Sequence, residues 1–347
     1  MYDIEAILNN LANQTPTWLL FIIIAVCLAV LSKSADKMID GAVSLAQRTS
    51  LPKIVIGATI ISLGTTVPET VVSVIAAWTG NPGLALGNGV GSIICDTALI
   101  FGLMCVLAKI PVRKFILNRT GWMQVGAATL LVVMALIALW VAPDKPMLGR
   151  SVGVLFVALL VLYMYLSYRW ARQSGSIDFE EEDEDEGADW GALKSLSFLL
   201  GGLVGVVVAS RVLIPCAVVG ACRIGVPQDV VAATIVAFGT SVPELMTGIS
   251  SIKKGHPQIM VGNVVGADVL NCLFVIGAAA LTEPLQIPDN FYYFHFPAML
   301  AILYSFRVFI FMNKDGWFKR WQGAWLLGLY AIYLTLQYSL NIAGAEG

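Results

Sequence analysis

The chain has 347 residues, 58% hydrophobic and only 13% charged. A soluble domain carries about 25% charged residues. This composition, with a mean hydropathy of +0.80, therefore excludes an ordinary soluble enzyme, a disordered regulator and a disulfide scaffold. The formal net charge of −2 comes with no basic domain, which argues against nucleic acid as a partner. The expected class is an all-α polytopic membrane protein.

In chain order, the stretch before Thr17 holds Asp3 and Glu5 but no Lys or Arg. That is the reverse of a secretory n-region, so the first apolar segment is expected to stay in the mature protein. About 20 apolar residues cross a bilayer as a helix. That length predicts ten transmembrane helices, with cores at 17–33, 54–78, 84–108, 121–142, 149–168, 195–215, 227–252, 258–281, 292–313 and 321–341. Basic residues concentrate in alternate loops: Arg48 and Lys53, Lys109 to Arg119, Arg169 to Lys194, Lys253 and Lys254, and Lys314 to Arg320. Those loops are then cytoplasmic, and both termini lie outside a cell (inner) membrane. Between spans 5 and 6 the run DFEEEDEDEGAD at 178–189 reads as a solvated linker without EF-hand spacing. The six cysteines form no CxxC or Cys/His pattern and read as small buried hydrophobes.

Sliding the chain along itself until Gly64 meets Gly239 superposes two halves without a gap. Residues 34–102 fall on 209–277, with about 22 of 69 positions identical. GTTVPET at 64–70 falls on GTSVPEL at 239–245, and LGNGVGSIICDT at 86–97 on VGNVVGADVLNC at 261–272. Five spans per half is an odd number, so the second copy is inverted. The expected organisation is a first repeat at 1–170, an acidic cytoplasmic linker at 171–194 and a second repeat at 195–347. Inverted repeats place a transporter's site at the midplane between the copies.

Four acids lie inside spans and away from their ends: Glu69, Asp96, Glu244 and Asp268. Each costs several kcal/mol at the bilayer centre. No Lys or Arg lies within spans 2, 3, 7 or 8, while Arg211 in span 6 and Arg307 in span 9 are the mid-segment bases. Bound cations are the expected compensation. Pro68 and Pro243 each remove a helical N–H and free a carbonyl, so a broken helix is expected at both motifs. Thr65, Thr66, Thr240 and Ser241 add hydroxyls. Asn88, Ser92 and Asp96 share one face of span 3, with Asn263, Ala267 and Asn271 at the matching positions of span 8. All the polar groups are hard oxygen donors, suited to Ca²⁺, Na⁺ or Mg²⁺ and poor for Zn²⁺.

At these residues the chain resembles the Ca²⁺/cation antiporter superfamily, in its prokaryotic Na⁺/Ca²⁺ exchanger branch. The resemblance rests on the paired signatures G-T-[ST]-x-P-E and G-N-x-x-G-[SA]-x-x-x-[DN], one of each per half. It implies an antiporter exchanging Ca²⁺ for Na⁺ by alternating access, working as a monomer in a lipid bilayer without a cofactor. It implies that Glu69 and Glu244 bind Ca²⁺ and also serve Na⁺, and that Thr65 and Thr240 give carbonyls to Ca²⁺. Thr66, Ser241 and the backbones of Ser62 and Ala237 are implied for Na⁺. Ser92, Asp96 and Asn271 take the remaining positions, and spans 1 and 6 would slide across the other eight. Two departures stand out. Ala267 lies where the family pattern often has Ser, and Asp268 adds a carboxylate where the first copy has Ile93. They leave open H⁺ coupling or K⁺ co-transport. A cation channel would not need the inverted repeat, and no HExxH supports a membrane protease. His295, in an aromatic run near an interface, has no metal-ligand partner in the sequence.

Overall fold

The structure, a computed structural model, describes residues 4–49, 52–174, 190–224 and 239–339. Proline sets several helix starts, because its missing N–H belongs to a group without an intrahelical partner. Pro52 precedes α3 (Lys53–Trp78), Pro82 opens α4 (Pro82–Leu107) and Pro257 opens α9 (Pro257–Thr282). The other helices are α1 (Ile4–Gln14), α2 (Thr17–Thr49), α5 (Lys114–Val141), α6 (Arg150–Ser174), α7 (Ala192–Arg223), α8 (Val242–Lys253), α10 (Phe291–Met312) and α11 (Arg320–Ser339). A short antiparallel ribbon pairs β1 (Met147–Leu148) with β2 (Leu285–Gln286), linking the loops after α5 and α9.

Among the described residues, eight helices are long and apolar enough to cross a membrane: α2 to α7, α9 and α10. The tenth expected segment is the helix α11, whose Trp, Tyr and Gln residues make it less apolar. The seventh is described only as α8, since 225–238 lie outside the described residues. So does the acidic stretch at 178–189.

Two helices depart from the expected boundaries. α1 precedes the first expected span; it is fastened to the end of α7, where Arg223 donates to the carbonyls of Asn13 and Thr15 at 2.6 Å. α2 continues beyond its predicted apolar core, which ends at Lys33, as far as Thr49. Met38, Ile39, Ala42, Val43 and Ala46 pack against Ile56 and Leu199 there, and Asp36 and Asp40 bond to Ser250 and Lys254 of α8 at 2.7 and 2.6 Å. Tertiary partners thus extend a helix through a charged segment that hydropathy alone reads as loop.

α2 and α7 lie side by side along their lengths. A Cβ at Gly202 would sit 2.6 Å from the Met38 nitrogen and the Ser34 oxygen, so only glycine permits this approach. The rest of the bundle is built around α9, which is buried along nearly all its length. A Cβ at Gly266 would meet the Ala58 carbonyl at 2.5 Å, which brings α3 and α9 into backbone contact.

Candidate cation site

α3, α4, α8 and α9 each bring an acid into the interior. Glu69, Asp96, Glu244 and Asp268 are 1%, 1%, 2% and 1% exposed. Glu69, Glu244 and Asp96 stand within each other's electrostatic range, and Asp268 within that of Asp96. Burial of so many carboxylates together has no structural benefit by itself, since each loses its hydration and repels the others.

Local irregularities position these groups. α3 carries a π-helical turn at Gly57–Ile61, α4 one at Cys95–Phe101 and α9 one at Asn271–Val275. Such turns widen the helix and are frequent at functional sites. Asp96 lies in the second of these, and Asn271 opens the third. The expected break at Gly64–Glu69 is not found: α-helix is continuous over Ser62–Trp78 with Pro68 inside it. The interruption lies just before that stretch, in the π segment Gly57–Ile61. In the second copy the motif does open a helix. Ser241 is the N-cap of α8, Pro243 lies in its first turn, and Glu244 follows.

Most of the sequence-predicted residues are buried. Ser62, Thr65, Thr66 and Ser241 are fully buried, and Ser92 and Asn271 nearly so. Thr65 faces Glu244, and Ser241 faces Asp96. Several of these oxygens have no hydrogen-bond partner: Thr66 Oγ1, both oxygens of Glu69, Ser92 Oγ, Asp96 Oδ1, Ser241 Oγ, Glu244 Oε2 and Asn271 Oδ1. Buried polar atoms are nearly always paired, so a cluster of unpaired oxygens calls for a ligand. Unpaired carboxylate, amide and hydroxyl oxygens together suit a hard cation. Among the described residues no three acids, histidines or cysteines converge tightly enough to hold a metal by themselves, so hydroxyls, amides and carbonyls must complete any shell.

Two placements differ from the expectation, and a third residue is not described. Thr240 is only half-buried and lines a cavity. Ala237 lies outside the described residues. Asp268 sits to one side of the cluster: Gln124 donates to its Oδ2 at 2.5 Å and Thr97 bonds to the same oxygen. Its Oδ1 has no partner.

Several supporting roles were not evident from the sequence. Asn88, read there as sharing the ligand face, instead donates to the Glu69 carbonyl at 3.1 Å and to Ser73 at 2.9 Å, which ties α4 to α3. Asn263 accepts from Thr65 at 3.4 Å. Gln124 was legible only as a lone amide in an apolar span. His295 is buried between Tyr333, at 3.0 Å, and Asn290, at 3.3 Å.

A cavity of about 510 Å³ reaches this cluster, lined by Pro68, Asn88, Ser92, Arg211, Thr240 and Tyr330 among others. Its remaining walls come from the start of α10 and the ends of α7 and α11, through Phe291, Val218 and Gln337. It therefore opens at the end of the bundle where α4 and α10 begin.

An apolar helical bundle with buried, unpaired oxygens beside an open cavity suits an ion-handling membrane protein. Comparison with known sequences makes the class specific: the sodium/calcium exchanger protein family matches residues 19–169 and again 194–339, and the chain belongs to that family. It is 27% identical to the sodium/calcium exchanger MaX1 of Methanosarcina acetivorans, over 92% of this chain and 98% of that protein. It is 30% identical to the inner membrane protein YrbG of Escherichia coli, over 89% and 93%. Solved structures of the sodium–calcium exchanger NCX_Mj, including one soaked with 2.5 mM Na⁺ and 10 mM Sr²⁺, superpose with a TM-score of 0.75 at 25% identity, covering 92% of this chain and 99% of that one. The chain is thus a multi-pass membrane protein of the cation-exchanger class.

Proposed function

We propose that this chain is a secondary antiporter that exchanges Ca²⁺ for Na⁺ by alternating access. The observation that carries the reading is the buried set of unpartnered oxygens on Thr66, Glu69, Ser92, Asp96, Ser241, Glu244 and Asn271. Glu69 and Glu244 are the principal Ca²⁺ ligands. Thr65 and Thr240 supply carbonyls, and Thr66, Ser241, Ser62, Ala237, Ser92, Asp96 and Asn271 serve Na⁺ or complete the Ca²⁺ shell. Ca²⁺ takes about six to eight oxygens, which neutral groups and three carboxylates can provide.

The architecture belonging to this reading is ten spans in two inverted copies, 1–170 and 195–347, joined by the acidic stretch at 171–194. The family's two separate matches, one in each half, support it, as does the gapless register that pairs the motifs. The basic loops face the cytoplasm and both termini face outward. The cavity opens at the end away from those loops, so the site is reached from outside. Long contact between α2 and α7, with fewer ties to α3 and α8, suits a pair that moves as one body against the rest. The working unit is a monomer.

A second reading, H⁺ in place of Na⁺, draws on Asp268, whose Oδ1 is buried and unpartnered. Uptake of ⁴⁵Ca²⁺ into proteoliposomes, with an outward Na⁺ gradient in one arm and an outward H⁺ gradient in the other, separates the two. Uptake driven by Na⁺ alone is expected. Uptake driven by H⁺ alone would replace Na⁺ as the coupling ion, and uptake without either gradient would point to a channel.

A further inference from the structure

An intramembrane base stands beside the carboxylates. Arg211, on α7, donates from Nη2 to the Pro68 carbonyl at 2.8 Å, the peptide oxygen immediately before Glu69. Its side chain lines the cavity together with Ser92 and Thr240. It lies within electrostatic range of Glu69, yet neither Glu69 carboxyl oxygen accepts a hydrogen bond. The guanidinium therefore places its charge beside Glu69 without hydrogen-bonding the Glu69 carboxylate. A base at this depth costs several kcal/mol. The position matching Arg211 in the first copy is Asp36 on α2, of opposite charge, which accepts from Ser250 and does not line the cavity. The two copies have thus diverged in charge at one register position, and the cavity receives the positive member.

A fixed positive charge in the wall of a low-dielectric cavity raises the potential met by every entering cation. The energy scales with the ion's charge, so a divalent ion loses twice what a monovalent ion loses. We propose that Arg211 is an affinity-setting residue of the cation site, weakening Ca²⁺ binding from the cavity side more than Na⁺ binding. It thereby biases the site toward releasing Ca²⁺ and accepting Na⁺ on that side. The proposal rests on the exchanger reading above and deepens it.

The test compares the full-length wild type, R211Q and R211K. Half-saturation for Ca²⁺ and Na⁺ is measured in proteoliposome exchange, and equilibrium ⁴⁵Ca²⁺ binding with Na⁺ competition is measured in detergent. R211Q keeps a donor for the Pro68 carbonyl but removes the charge. It is expected to tighten Ca²⁺ by about tenfold and Na⁺ by about threefold, a two-to-one ratio of logarithms set by ionic charge. R211K, which keeps the charge, moves both constants less than R211Q. Unchanged constants, an equal shift for both ions, or an R211K effect as large as that of R211Q would overturn the proposal. The binding measurement needs no transport, so it separates a wrong assignment of Arg211 from a wrong exchanger reading. That reading fails separately if the wild type shows no Na⁺-driven uptake. Should R211Q not purify as a monodisperse protein, R211M takes its place.

Discussion

Replacing Glu69 by Gln removes one charge and almost no volume from a residue that is 1% exposed and whose two carboxyl oxygens have no partner. Two unit charges about 4 Å apart interact by about 4 kcal/mol at an effective dielectric of about 20. A divalent ion doubles that to about 8 kcal/mol. The Gln amide oxygen remains a neutral oxygen donor and recovers part of it. A net loss of about 4 kcal/mol remains, which is about a thousandfold in Ca²⁺ affinity. The same arithmetic predicts the opposite sign without cations. In chelator, wild type holds a buried carboxylate without its cation and E69Q does not, so E69Q should melt at the higher temperature. Titrating Ca²⁺ should raise the wild-type melting temperature by ligand linkage and leave E69Q flat. Thermal unfolding in detergent, with and without Ca²⁺, reads both effects, and ⁴⁵Ca²⁺ uptake checks the loss of transport. An E69Q protein that still gains stability with Ca²⁺ and still carries it would refute the assignment of Glu69 as a ligand.

Further outcomes follow from packing and from the cluster's support. Gly202→Ala must push α2 and α7 apart, because the new methyl meets the backbone at Ser34 and Met38. A cost of about 1–3 kcal/mol is expected, with a lower melting temperature and slower exchange. Gly201→Ala meets nothing within 4 Å and should stay near wild type in both assays. Equal effects from the two would remove the case for close α2–α7 contact. Thr97→Val keeps the shape but takes a hydroxyl from Asp268 Oδ2, leaving Gln124 as its remaining partner there. A loss of about 1–3 kcal/mol is expected; an unchanged melting temperature would show that Gln124 alone suffices.

The candidate cluster was legible because intramembrane acids are costly and therefore conspicuous. GTTVPE and GTSVPE stand out in apolar segments, and their spacing pairs them. The resemblance added roles to residues that hydropathy had already isolated. Less legible was how α3 deforms. Pro68 suggests a break at the motif, yet the helix passes through it, and the irregular turn lies earlier, at Gly57–Ile61. Local propensity marks that a helix is perturbed, whereas packing against α9 at Gly266 and Ala58 decides where. Asp268 illustrates the same limit. Its sequence neighbours place it beside Asn271, but Thr97 and Gln124, from α4 and α5, decide that one of its oxygens is already engaged.

The sequence by itself determined that this chain is a helical membrane protein, and which acids lie within its apolar segments. Those facts depend on local composition, because a bilayer requires each span to satisfy its own backbone and to be apolar along its length. The tertiary structure decided which oxygens meet, which are held by neighbours, and what lies beside them. Glu69 and Glu244 come from opposite halves of the chain, and Arg211 reaches the Pro68 carbonyl from a helix in the other half. No periodicity in the chain encodes those approaches. They depend on glycine contacts that bring whole helices to backbone distance, so the charge environment of the site exists only once the bundle has closed around it.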